Sequence, residues 1–89
     1  MSLDEKSQKM KEELEKLEAK YDCKVHSPKS LDVHTQEWQY SIEPNEGTEN
    51  IKVNVHDEYI DVFRNLPPER FVGPEQIPNA IEWIEGYLR

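Results

Sequence analysis

Residues 50–64 read NIKVNVHDEYIDVFR, and the fold turns on how that stretch pairs with itself. Ile51, Val53 and Val55 alternate with Lys52, Asn54 and His56; further on, Ile60 and Val62 alternate with Tyr59, Asp61 and Phe63. The apolar parity changes from odd to even across His56–Glu58. One unbroken strand would then have to bury charge, because successive side chains point to opposite faces. A two-residue turn at His56-Asp57 resolves the conflict, setting Val55 opposite Glu58, Val53 opposite Ile60 and Ile51 opposite Val62. His-Asp is a poor primed-turn pair, so a β-bulge in one continuous strand is the alternative.

Working outward, Leu31–Glu43 also alternates, with Trp38, Tyr40 and Ile42 on one face and Thr35, Glu37, Gln39 and Ser41 on the other. Pro44-Asn45-Glu46-Gly47 is a turn signal ahead of the next strand. Cys23–Ser27 reads as a short strand that stops before Pro28, which cannot donate to a ladder. The expected strands are about 23–27, 33–43, 50–56 and 58–64. Leu66-Pro67-Pro68 ends the sheet, and residues 67–76 read as a loop that tucks Phe71 and Val72 inward.

Helices flank this region. Leu3, Ser7, Met10, Leu14, Leu17 and Tyr21 recur at spacings of three and four, the seam of a helix over residues 3–21. Ser2 and Glu5 stand at capping-box spacing, although Met1-Ser2-Leu3 also has the form of a cloning scar. Ile77, Ala80, Ile81, Ile84 and Leu88 mark a second helix over about 77–88, with Pro78 in its first turn and Gly86 as a weak spot. The reading is one α+β domain over residues 1–89. It is a two-layer sandwich in which a three- to four-stranded antiparallel meander packs against an N-terminal and a C-terminal helix.

Charge is unevenly spread. Residues 32–61 hold eight carboxylates and only Lys52 as a cation, so they carry −7 of the chain's −8. The first 31 residues balance seven Lys against seven Asp or Glu. Such a field steers cationic partners and repels nucleic acid and anionic membranes. No apolar run is long enough for a membrane span or a signal-peptide core. With Cys23 alone no intrachain disulfide can form, and a cytoplasmic location is expected.

Cys23, His26, His34 and His56 are the only set with metal-ligand character. Cys23 and His26 differ in strand parity and His56 lies far off, so no metal is expected. Residues 43–47 lack the ligand spacing of a calcium loop. No activated thiol, serine elbow or phosphate-cradling glycine loop can be written, so no cofactor and no enzymatic activity are expected. Basic patches interleaved with aromatics are missing as well.

The leading expectation is a non-enzymatic interaction module that docks a basic protein through its acidic strand region. Asp57, Glu58, Asp61 and Glu37 would supply charge, with Tyr59 and Phe63 as aromatic anchors. An alternative is a nucleic-acid mimic, which requires carboxylates about 6–7 Å apart along one stripe. A small metal- or ligand-binding enzyme subunit ranks last. The narrow seam of helix 1 also suits a coiled-coil homodimer through Met10, Leu14 and Leu17.

Overall fold

The computed structural model describes every residue except Glu46. Its elements run α1 (Leu3–Tyr21), β1 (Lys24–His26), β2 (Trp38–Glu43), β3 (Ile51–Val55), β4 (Ile60–Phe63), β5 (Glu69–Phe71) and α2 (Gln76–Leu88). The strands form one antiparallel sheet in chain order, β1 through β5. The two-layer α+β architecture is thus as the sequence indicates, with one more strand.

α1 begins on the capping box. The Ser2 side chain accepts the Glu5 N–H at 3.2 Å, and the Glu5 carboxylate accepts the Ser2 N–H at 3.2 Å. It ends at Asp22, whose left-handed backbone (φ 53°) breaks the helix. Met10, Leu14 and Leu17 are buried beneath the sheet, joined there by Ala80 and Ile84 of α2. The seam of α1 therefore faces the protein's own strands. Met10, Leu14 and Leu17 are not available to a second helix, so the expectation of a homodimer through them is withdrawn. A stripe at three- and four-residue spacing serves a sheet as well as a coiled coil, and here the sheet takes it.

The strand core is Tyr40 and Ile42, Ile51, Val53 and Val55, and Ile60 and Val62, all facing the helices. Tyr40 carries its hydroxyl into this layer and spends it on α1: its oxygen lies 2.6 Å from the Ser7 hydroxyl, and it donates to the Ser7 carbonyl at 3.1 Å. Contacts at both ends of the helix pair fix their relative direction. Lys6 meets Gln76 at one end, and Lys20 and Tyr21 meet Glu85 at the other. α1 and α2 thus run parallel across one face.

Three expectations need correcting. First, the β3–β4 register is shifted: Val53 pairs with Val62 and Val55 with Ile60. The connection is the four-residue stretch His56–Tyr59, closed by a His56 N–H bond to the Tyr59 carbonyl at 2.9 Å. This relieves His-Asp of the positive φ angles that a two-residue turn demands. Second, β2 starts at Trp38. Asp32 accepts the backbone N–H groups of His34 and Thr35 and turns the chain, while Gln36 sits at φ 60°. That Asx-type geometry competes with strand pairing. Third, residues 69–71 form an edge strand within the expected loop. Phe71 is half-buried, as anticipated, but Val72 is 66% exposed.

Candidate functional site

The β3–β4 connection, the chain preceding β2 and the start of α2 all lie at one end of the sheet, here called the hairpin end. Lys6 organises it from α1. Its ammonium is buried and donates to the carbonyls of His56, Asp57 and Tyr59 and to the Gln76 side chain. Burial pushes this ammonium below its ordinary pKa, and the nearby Asp57 carboxylate opposes the shift. Gln76 in turn donates to the Glu58 carbonyl at 3.1 Å. The acidic tip is therefore anchored through its backbone, which leaves the Asp57 and Glu58 carboxylates in solvent. Neither has an ion-pair partner among the described residues.

Beside the tip stands a compact polar cluster. The Tyr59 hydroxyl donates to the Glu37 carboxylate at 2.6 Å. His56 stacks on the Tyr59 ring, centroids 4.4 Å apart and planes within 8°. The Arg70 guanidinium lies 3.8 Å from the same ring centroid and grips Asp61 with two bonds of 2.9 and 3.0 Å. The Glu37 carboxylate holds the Tyr59 proton in place, pushing that phenol up to about 12. Arg70 is pushed up as well, chiefly by its bond to Asp61.

The structure thus brings together five of the six residues singled out from the sequence: Glu37, Asp57, Glu58, Tyr59 and Asp61. Phe63 lies further along β4, opposite Lys52, and is half-buried on the sheet face away from the helices. The five do not share one role. Glu37 and Asp61 are 6% and 5% exposed, and their charges are already occupied by Tyr59 and Arg70. Both carboxylates are thus engaged within the cluster rather than held out in solvent. Tyr59 is half-buried, with its ring and hydroxyl engaged internally.

Sequence reasoning missed Lys6 and Arg70. Lys6 stands four residues before Met10 in a row that continues to Leu14 and Leu17, so its inward position was readable from spacing. Of the described acidic residues over 32–61, only Glu43 and Asp61 lie in strands. Two strand carboxylates do not by themselves make the evenly spaced stripe that a nucleic-acid mimic needs; Glu46 lies outside the described residues.

No group of three or more His, Cys, Asp or Glu side chains converges in metal-binding geometry among the described residues. Cys23 is buried, with its thiol 3.7 Å from the Leu17 carbonyl. His26 is 3.0 Å from Glu43 at the exposed sheet edge. No helix is long and apolar enough to cross a membrane. Family models, curated proteins and solved structures give no match to the chain.

Proposed function

We propose that this protein is a non-enzymatic interaction module whose hairpin end docks a basic surface on a protein partner. One observation carries the reading: the tip bearing Asp57 and Glu58 is fixed by Lys6 through main-chain carbonyls, while both carboxylates stay exposed and unpaired among the described residues. Preformed charge of this kind docks without paying for loop ordering, and complementary charge accelerates encounter. A non-catalytic role is supported by the neighbouring cluster. Glu37 and Asp61 are each satisfied by a fixed partner, and Tyr59 is moved to about 12, far from the neutral range useful to a general acid or base. A reducing compartment suits the buried, unpaired Cys23.

The test is affinity enrichment from cell extract with the wild type and with Asp57→Lys/Glu58→Lys, at low salt and at about 0.3 M, where screening is stronger. A control variant reverses two exposed acids of α1, Glu12 and Glu15. Basic proteins retained by wild type and control, but lost with the tip variant and at high salt, support the reading. An enriched set that the tip variant retains in full overturns it.

A further inference from the structure

We propose that the exposed face of α2 pairs with the same face of a second copy of this chain, the two helices antiparallel about a two-fold axis close to Gly86. α2 buries Ala80 and Ile84 against the sheet. On its outer side Trp83 is 43% exposed and stands edge-on to Phe71 and Tyr87, at centroid distances of 6.2 and 6.5 Å. These three aromatics border an open groove of about 490 Å³ whose lining also includes Glu82, Gly86 and Arg89.

Gly86 is the first clue to the occupant. A Cβ built there meets nothing within 4 Å, so this chain's own packing does not require glycine. Glycine weakens a helix relative to alanine, and a flat spot on an exposed helix admits the close approach of another backbone. The second clue is charge order. Glu82 and Arg89 lie seven residues apart at the two ends of one groove, about 10.5 Å along the helix axis. Neither has an ion-pair partner among the described residues. A purely basic segment laid here would meet Arg89, and a purely acidic one would meet Glu82. An antiparallel second copy satisfies both, because the two-fold sets each Glu82 against the Arg89 of the other copy and brings the two Gly86 positions near the crossing. Such self-complementarity is what an isologous interface demands. Exposed aromatics at its centre supply the apolar contact. The surface lies apart from the Asp57–Glu58 tip, so this inference does not depend on the proposed docking role.

Sedimentation equilibrium at about 0.15 M salt, which damps the repulsion between two acidic copies, decides the matter. Over about 1 μM to 1 mM, the span in which small interfaces associate, the mass should rise from 10.6 kDa toward twice that value. Glu82→Arg and Arg89→Glu should each weaken association about tenfold or more, since each sets like charges together. The double swap Glu82→Arg/Arg89→Glu should restore most of the loss. Gly86→Gln, which improves helix propensity while blocking close approach, should abolish pairing and leave the thermal melt of dilute protein intact. Trp83→Ala should abolish it too. A monomeric mass throughout overturns the proposal, as does a dimer indifferent to Gly86→Gln, or a double swap no better than its single components.

Discussion

The Lys6 ammonium on α1 donates to the main-chain carbonyl of His56, 50 residues along the chain, and so ties the first helix to the β3–β4 connection. The same nitrogen reaches the carbonyls of Asp57 and Tyr59, each at 3.4 Å. Lys6→Met keeps the aliphatic stem and removes the charge. Carbonyls left without a donor carry a desolvation cost. The variant should lose about 1–3 kcal/mol in urea unfolding, with amide exchange accelerating first at residues 56–59. A loss below about 0.5 kcal/mol would mean that water replaces the ammonium without penalty.

Tyr59 should be visible as a late phenol. Its pKa is raised to about 12 by the hydrogen bond to Glu37. The folded protein thus holds this proton more tightly than the unfolded chain does. The stability it contributes is complete below pH about 10 and is lost as pH rises through about 12. Phenolate absorbance should show this tyrosine titrating late in the wild type, and Glu37→Gln should bring its transition back toward about 10. An unchanged titration in Glu37→Gln would rule out the carboxylate as the cause.

Asp61 and Arg70 form an unequal pair, with the carboxylate side chain 7% exposed and the guanidinium 54%. Removing the exposed partner strands the buried one. Arg70→Met should therefore cost about 1–3 kcal/mol, less than a fully buried pair would because water still reaches the site. Asp61→Asn/Arg70→Met should lose less than Arg70→Met alone, since no charge is then left unpaired. A double-mutant cycle in chemical denaturation reads this coupling directly; additive losses would show that the two side chains do not stabilise one another.

The helices and the alternation in β2, β3 and β4 were legible because each is a local periodicity. α1 spans residues 3–21 as its spacing indicates, and α2 begins one residue before the expected Ile77. Val53 and Ile60 are both buried, in line with the parity argument, yet they are diagonal rather than direct neighbours. Parity alone permits either register, since both keep the same faces inward. The length of the connection follows from Lys6, the His56–Tyr59 stack and Gln76, two of which come from remote segments. β5 escaped notice for the same reason. Three residues after Pro67-Pro68 carry no periodicity, and the strand is joined to the sheet by Arg70 on Asp61. At the site, the exposed acids Asp57 and Glu58 could be read from composition. That Glu37 and Asp61 are covered could not, because period-two alternation assigns a face but not what lies over it.

The parallel course of α1 and α2 has an electrical consequence. Both helices begin at the hairpin end, so the positive poles of their peptide dipoles point the same way. Each pole is equivalent to roughly half an elementary charge, and together they offset about one carboxylate close to their first turns. At the opposite end of the sheet, where the helices present their negative poles, the Glu85 carboxylate pairs with the Lys20 ammonium. At the hairpin end Asp57 and Glu58 have no ion-pair partner among the described residues. Oriented main-chain dipoles thus add to the Lys6 ammonium in lowering the local electrostatic cost of the exposed acids.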